Sequence, residues 1–334
     1  MALSDKGRIG LVLSGGGGKG SYQIGVWRAL EEFGVAGNVS AVAGTSVGAL
    51  NAVLFKQGDV ELAARIWRNL KPADVLHRAP DSVLRVLMAA TSVVGRLGLP
   101  SSPAFVGALA TRGVFSRDGL KKLSAQCIDW ERVAAPGCAV SATALRIPLG
   151  GVRHFPLLGQ VPGRCLSILL ASSAIPVVFP PEEIDGERFI DGGIPGIGCN
   201  TPVEALTGQG CKLIIVVLLA RDDTFDVERF PNHQVLPIFP QEDQGGLFGG
   251  TLDFDGTQAE RRMRQGYDDT VRILEPIYRM GRAQLDFERA LDMVQRQQCE
   301  WQALNAAYEA RQEELHQVEA DAKAAIELLR KMPQ

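Results

Sequence analysis

A serine flanked by glycines is the side chain of this chain best placed to act as a nucleophile. The stretch Gly44-Thr45-Ser46-Val47-Gly48 follows the apolar run Ala41–Ala43 and precedes an Ala/Leu-rich stretch of helical composition. A serine on the sharp turn between a strand and a helix projects its hydroxyl away from the backbone, and flanking glycines let the turn close. The helix dipole then favours negative charge beside the turn. The pattern predicts a nucleophile elbow at Ser46.

A glycine-rich loop precedes this serine by about thirty residues. The apolar run Arg8–Ser14 has strand length, Gly15-Gly16-Gly17-Gly18-Lys19-Gly20 follows it, and Ser21–Phe33 has helical spacing. Strand, glycine loop and helix together can bind an anion through backbone N–H groups. The loop is therefore a candidate for part of an active site or of a phosphate site.

Three interpretations of the glycine loop compete. A dinucleotide site fits the spelling Gly15-x-Gly17-x-x-Gly20, but it needs an acidic residue about twenty residues on, where Val35–Val42 leads into the serine turn instead. A Walker A loop needs Gly-Lys-Ser/Thr, and here Gly20 separates Lys19 from Ser21. An oxyanion hole needs exposed N–H groups close to a nucleophile. The sequence favours the oxyanion hole.

The elements around these motifs indicate the fold class. Lys212–Ala220 is apolar without alternation, as expected for a parallel strand buried on both faces. Cys138–Leu145 and Val152–Leu157 are predicted to form a hairpin, and Arg164–Ala174 a helix. Glu187–Asp191 is a short strand that ends in an aspartate followed by Gly192 and Gly193. Strands that alternate with helices predict an α/β fold with a mainly parallel sheet.

Composition and charge narrow the function classes. The chain has 334 residues, 46% of them hydrophobic, and a formal net charge of −3. No block of Lys or Arg suggests nucleic acid. Its six cysteines lack metal-ligand spacing and suit a reducing compartment. Met1–Gly10 lacks the apolar core of a signal peptide, and no stretch is apolar enough to span a bilayer. We expect a cytoplasmic protein without a metal or cofactor, and export without a cleaved signal stays compatible with the sequence.

The segment 71–122 differs from its surroundings. It is apolar and interrupted by prolines, and its eight basic and three acidic side chains give it a net charge of +5. Such a segment suits a lid or a surface that meets anionic lipid. A helical cap buried on the main sheet is the alternative.

A heptad repeat marks the C-terminal region. From Arg282 to Met332 there is no glycine or proline, and one row recurs every seven residues: Phe287, Val294, Trp301, Tyr308, Leu315, Ala322 and Leu329. A second row, three residues later, is only partly apolar. The repeat predicts a long helix that forms a homo-oligomer or binds a protein partner through 282–332. Two antiparallel helices that turn near Gln297–Cys299 are the alternative.

With the glycine loop, the serine turn and Asp191–Gly193 in this order, the chain resembles the patatin-like phospholipase family over roughly Arg8 to Tyr267. The runs Ala171–Pro176, Phe179–Pro181 and Asn200–Pro202, with Gly266-Tyr267, are also similar to that family. Ser14 and Gly18 depart mildly from the plant-type pattern. The heptad region lies outside the resemblance.

The resemblance implies a three-layer α/β/α sandwich with a mainly parallel central sheet, and a phospholipase A or lysophospholipase activity. It implies Ser46 as nucleophile, Asp191 as its base, and N–H groups of Gly16, Gly17 and Gly18 as the oxyanion hole. The remaining motif residues support these groups: Gly15, Lys19, Gly20, Gly44, Gly48, Gly192 and Gly193. A Ser–Asp dyad agrees with the histidines, since His77, His154, His233 and His316 lie in no motif.

The expected whole is a hydrolase domain over 1–275 and a helical extension over 276–334. Membrane phospholipids are the expected substrate, with peripheral contact to the membrane and control by a protein or small ligand. A transacylase would use the same acyl-enzyme with an alcohol as acceptor. An inactive binding or scaffold protein on the same fold is the alternative from another class.

Overall fold

The computed structural model describes residues 8–71, 74, 117–148, 150–176, 178–223 and 225–330. Most of the segment 71–122, for which a lid or a lipid-facing surface is predicted, lies outside the described residues. The described strands are β1 (Arg8–Leu13), β2 (Val39–Thr45), β3 (Ala139–Ile147), β4 (Val152–Pro156), β5 (Glu182–Ile184), β6 (Glu187–Asp191), β7 (Cys211–Val217) and β8 (Gln234–Ile238).

The described α-helices are α1 (Ser21–Glu32), α2 (Val47–Gln57), α3 (Val60–Asn69), α4 (Asp118–Cys127), α5 (Trp130–Ala134), α6 (Pro162–Ser172) and α7 (Gly256–Arg330). Short 3₁₀-helices span Gly17–Gly20, Ala36–Asn38, Val203–Leu206 and Val227–Arg229, and a π-helix spans Leu247–Thr251.

All eight strands belong to one sheet with the order β5-β6-β3-β2-β1-β7-β8, and β4 also pairs with β3. The pairs β1–β2, β1–β7, β2–β3 and β7–β8 are parallel. The pairs β3–β4, β3–β6 and β5–β6 are antiparallel. The expected mainly parallel α/β sheet is confirmed, and the predicted hairpin is the β3–β4 pair.

The two faces of the sheet hold different cores. Leu11, Leu13 and Val42 point to the larger core, which α1, α2, α3 and α6 cover. Val12, Ala41 and Ala43 point to the other face, covered among the described residues by the 3₁₀-helix Val203–Leu206 and by Phe230. This opposition follows from the two-residue period of a strand.

The chain divides into a first compact unit that ends at Leu274 and a second that begins at Glu275. The first contains the sheet and the start of α7. The second is helical through Arg330, and the helix does not turn back near Gln297–Cys299. Its large apolar side chains are exposed, among them Phe287, Trp301, Leu304, Tyr308 and Val318. The helical C-terminal extension is confirmed.

Candidate active site

Ser46 occupies a strained turn between β2 and α2. Its φ of 56° and ψ of −125° lie in a region that residues with a side chain rarely adopt. Close packing surrounds the turn: a Cβ on Gly48 would lie 2.1 Å from the Leu13 carbonyl oxygen, and one on Gly44 would lie 2.2 Å from the Gly48 backbone. Both flanking glycines are therefore required by contact, and the turn has the geometry of a nucleophile elbow.

A buried hydroxyl from the end of α6 holds this turn in place. The Ser46 backbone N–H donates to Ser172 Oγ at 2.9 Å. Ser172 Oγ in turn donates to the carbonyl oxygen of Thr143 at 2.6 Å. Ser172 is fully buried, so neither bond competes with solvent. One side chain thus ties the strained serine to β3.

The register of three strands brings Asp191 to Ser46. Thr45 pairs with Thr143 across the parallel β2–β3 ladder, and Ala144 pairs with Asp191 across the antiparallel β3–β6 ladder. Ser46 and Asp191 therefore flank the same residue of β3. Their Cα atoms lie two strand spacings apart, which is about 10 Å. The two side chains extend toward each other across this distance and interact.

Burial dominates the electrostatics of Asp191. It raises the pKa of the carboxyl group to about 6, because the charged form is desolvated. Interaction with the Ser46 side chain and the N–H of Gly193, which donates to Asp191 Oδ1 at 2.7 Å, lowers the pKa and limits the rise. An aspartate with this pKa is mostly ionised at neutral pH and is a stronger base than an exposed one.

The glycine loop lies beside the elbow. A Cβ on Gly15 would lie 3.2 Å from Ser46 Cβ, and Gly17 and Ser46 line the same cavity. Gly17 and Gly18 open a 3₁₀-helix, so their N–H groups have no acceptor within it. Gly17 adopts a φ of 58°, and a Cβ there would lie 2.0 Å from the Thr251 carbonyl oxygen. The loop can present N–H groups to an oxyanion near Ser46.

Hydrogen bonds fix both ends of this loop. Gly15 donates its N–H to the Asn200 carbonyl at 3.2 Å, and the Asn200 amide donates back to the Gly15 carbonyl at 3.3 Å. Gln23 and Asn51 donate to the carbonyls that bracket the glycines, at 2.8 and 2.9 Å. Preorganised donors cost no rearrangement during a reaction.

Arg262, from the start of α7, supports the far side of the loop. Its guanidinium group is buried and ion-paired with Asp253 at 2.9 Å, and it donates to the carbonyls of Gly249 and Gly18 at 2.9 and 3.5 Å. Lys19 is half-buried nearby, and burial lowers the pKa of its ammonium group. Sequence reasoning gave Arg262 no role.

An apolar cavity of about 110 Å³ opens at Ser46. Its wall along α2 is formed by Val47, Leu50 and Leu54, which share one face of that helix. The remaining apolar lining comes from other elements: Ile66, Trp67, Leu70, Leu120, Leu123, Ile128, Ile175, Phe179 and Phe254. This apolar lining suits a fatty-acyl chain.

The histidines of the described part of the chain make other contacts. His154 Nδ1 lies 2.9 Å from Thr143 Oγ1, and His233 Nδ1 lies 2.7 Å from the Cys211 carbonyl. His316 is exposed on the second unit. Within the described ranges, no group of His, Cys, Asp and Glu could hold a metal ion, and no helix has the length and apolarity to cross a membrane.

The remaining predicted residues lie around these groups. A Cβ on Gly16 would lie 2.8 Å from Leu219 Cδ1, one on Gly20 would lie 2.6 Å from Val47 Cγ2, and one on Gly192 would lie 2.6 Å from the Thr143 carbonyl oxygen. Ser172 and Asn200 belong to the stretches Ala171–Pro176 and Asn200–Pro202, which resemble the family in sequence. Their hydrogen-bond partners become visible only in the folded structure.

Comparison with known proteins places the chain in a family. Residues 11–207, more than half of it, match the family model described as Patatin-like phospholipase. Among curated relatives, "Patatin-like phospholipase domain-containing protein 7" of Rattus norvegicus is 25% identical over 228 residues, 66% of this chain and 14% of the relative. "Lysophospholipase NTE1" of Saccharomyces cerevisiae is 26% identical over 209 residues, 63% of this chain and 10% of the relative. The chain thus spans a small part of these relatives.

Two solved structures have partial likeness to the chain. VipD from Legionella pneumophila aligns with a TM-score of 0.44 and 16% identity, over 81% of this chain and 67% of VipD. Human GIVD cytosolic phospholipase A2 aligns with a TM-score of 0.47 and 10% identity, over 84% of this chain and 60% of that protein. Likeness at this level carries no weight for the chemistry of the site.

Proposed function

Since the chain belongs to the patatin-like phospholipase family, we propose that it hydrolyses fatty-acyl esters of membrane lipids with Ser46 as nucleophile and Asp191 as base. One observation carries the proposal: a strained serine, next to a buried carboxylate, opens onto an apolar cavity. The cavity would take the fatty-acyl chain and place its ester carbon at Ser46 Oγ.

The chemistry has two halves. Ser46 Oγ attacks the acyl carbonyl carbon while its proton passes to the Asp191 carboxylate, and negative charge develops on the carbonyl oxygen. N–H groups of Gly16, Gly17 and Gly18 would bind that oxyanion, and such donors are each worth about 3–4 kcal/mol in related sites. Collapse of the intermediate expels the lysolipid alcohol, which takes the proton from Asp191. Water then cleaves the acyl-enzyme by the same steps.

The membrane would supply the substrate, so the enzyme must reach a lipid surface. The basic, apolar segment 71–122 supports that part of the proposal through its sequence alone. We also propose that a protein or a small ligand controls the activity. The second unit, whose large apolar side chains are exposed, is the candidate element for that control.

The test is mass spectrometry of fatty acid released from mixed phospholipid vesicles by the wild type, Ser46→Ala and Asp191→Asn. Only the wild type is expected to release fatty acid. Ser40→Ala, a serine of β2 that does not line the cavity, and Asp185→Asn, an exposed aspartate, are matched controls expected to retain activity. Labelling of Ser46 by a fluorophosphonate tests the nucleophile without a lipid.

Wild-type activity in either dyad variant would refute the dyad. Transfer of the acyl group to an added lysolipid, in place of release, would identify a transacylase. No lipid turnover together with no labelling of Ser46 would refute an enzyme that is active on its own, and would leave either an enzyme that needs an activator or a scaffold protein.

A further inference from the structure

The second unit carries an apolar face whose side chains are exposed. Trp301, Leu304, Tyr308 and Val318 are each more than 60% exposed, and Leu315 is 49% exposed. With heptad positions counted from Trp301 as a, the face consists of a and d residues: Trp301, Leu304, Tyr308, Arg311, Leu315, Val318, Ala322 and Ala325. We call these eight residues the heptad face. A repeat of 3.5 residues buries such a face against another helix.

The largest side chains of the heptad face lie toward its N-terminal end and the smallest at its C-terminal end. Its N-terminal half holds Trp301, Leu304 and Tyr308, whereas its C-terminal half ends in Ala322 and Ala325. A face that is large at one end and small at the other fits a reversed copy of itself, because packed layers need a constant total volume. The distribution therefore favours an antiparallel pair of identical helices.

We propose that two copies of the chain dimerise through an antiparallel coiled coil of their heptad faces, with Trp301 of each copy opposite Ala325 of the other. The proposal goes beyond the proposed function, because it names the partner that the second unit binds: a second copy of the chain. In this register Leu304 faces Ala322, and Tyr308 faces Val318. Arg311 faces Leu315 next to the two-fold axis, so each layer combines a larger with a smaller side chain or an arginine with a leucine. The paired stretch is about 36 Å long at 1.5 Å per residue.

Arg311 selects against two competing arrangements. A parallel dimer would place Arg311 against its own copy in the core, and Trp301 against Trp301. An antiparallel dimer shifted by one heptad toward the N-termini would place Tyr308 on Arg311 and Trp301 on Val318. In the proposed register the Arg311 guanidinium can extend to the edge of the helix pair, where it lies near the Glu314 carboxylates of both copies. Within one helix Arg311 already lies 3.2 Å from Glu314. A single charged residue in a heptad core fixes register in this way.

The test is sedimentation equilibrium of the full chain and of four variants. The wild type is expected to show a monomer–dimer equilibrium. Trp301→Ala empties two layers and should raise the dissociation constant at least about 100-fold, and Ala325→Trp overfills two layers and should raise it at least about tenfold. The double variant Trp301→Ala/Ala325→Trp again has one tryptophan and one alanine in each of these layers, and should return to within about tenfold of the wild type.

The swap separates this geometry from others, because in a parallel pair the double variant stacks alanine on alanine and tryptophan on tryptophan. Ala306→Trp, on the opposite side of the helix, is the matched control and should leave association unchanged. Circular dichroism at 222 nm confirms that each variant stays helical. A wild type that is monomeric at 100 µM, a higher oligomer, or a double variant no stronger than its single parents would overturn the proposal. None of these measurements uses enzymatic activity, so this proposal and the proposed hydrolysis fail separately.

Discussion

Ser172 is expected to control the reactivity of Ser46 although it touches no substrate. Replacement by alanine removes the acceptor of the Ser46 N–H at 2.9 Å and the donor to the Thr143 carbonyl at 2.6 Å. Each buried polar group left without a partner costs about 1–3 kcal/mol. We therefore expect Ser172→Ala to lower the free energy of unfolding by about 2–4 kcal/mol.

The kinetic effect follows from backbone strain. A residue with a side chain at the φ of Ser46 stores about 1–3 kcal/mol, which its surroundings must oppose. Without the Ser172 bond, Ser46 can relax out of the conformation that aims Oγ at the substrate. If reaction must restore that conformation, kcat falls roughly 5- to 150-fold. KM for the acyl chain should hardly change, because the apolar cavity stays intact.

The assay is steady-state hydrolysis of a soluble ester, with thermal unfolding on the same preparations. Ser173→Ala is the matched control, because this adjacent hydroxyl lines the same cavity as Ser46 but donates its hydrogen bond to the Leu169 carbonyl of α6. Its kcat should stay within a few-fold of the wild type. If Ser172→Ala lost stability but kept the kcat of Ser173→Ala, Ser172 would be a structural residue only and the argument from strain would be refuted.

Three further predictions concern Asp191 and the cavity. Since the base must be ionised and its pKa is about 6, kcat/KM for a soluble ester should fall as pH drops through about 6, and a profile flat from pH 5 to 8 would contradict Asp191 as base. Because the pKa of Asp191 is higher in the folded state than in the unfolded state, the charged carboxylate destabilises the fold, and this loss of stability develops as pH rises from about 4 to 6. Asp191→Asn should therefore raise the free energy of unfolding at pH 7.5 by roughly 3 kcal/mol, with no gain at pH 4. Urea unfolding at the two pH values measures this difference. Leu54 lines the cavity eight residues beyond Ser46, about 12 Å along α2. Leu54→Trp should therefore lower kcat/KM at least tenfold for esters with long acyl chains and leave kcat/KM for short ones unchanged. Equal losses for long and short esters would show that the acyl chain binds elsewhere.

The local parts of the site could be predicted because short stretches determine them. The glycines around Ser46 and the apolar run before them indicate a strand, a tight turn and a helix, and the structure has β2, the strained turn and α2 there. The strand that ends at Asp191 was equally local. Alternation of strands and helices was enough for the fold class.

The rest depends on pairings between distant parts of the chain. Nothing near Asp191 indicates that β6 runs antiparallel to β3, yet that register sets the carboxylate beside Ser46. Ser172 bonds to a residue 126 positions away, and Arg262 to one 244 positions away. Such partners have no period or spacing to find, so their roles become visible only in the folded chain.

The structure also suggests why a carboxylate could replace a histidine as the base. An exposed aspartate, with a pKa near 3.9, would accept a serine proton poorly. Burial raises the pKa of Asp191, and the strained turn holds Ser46 in place, so the fold would offset part of the difference in basicity. The balance of stabilisation then falls on the oxyanion. In the proposed mechanism the glycine loop would therefore supply the larger share of catalysis. The buried hydrogen bonds that Gln23, Asn51 and Arg262 donate to its carbonyl groups agree with that role.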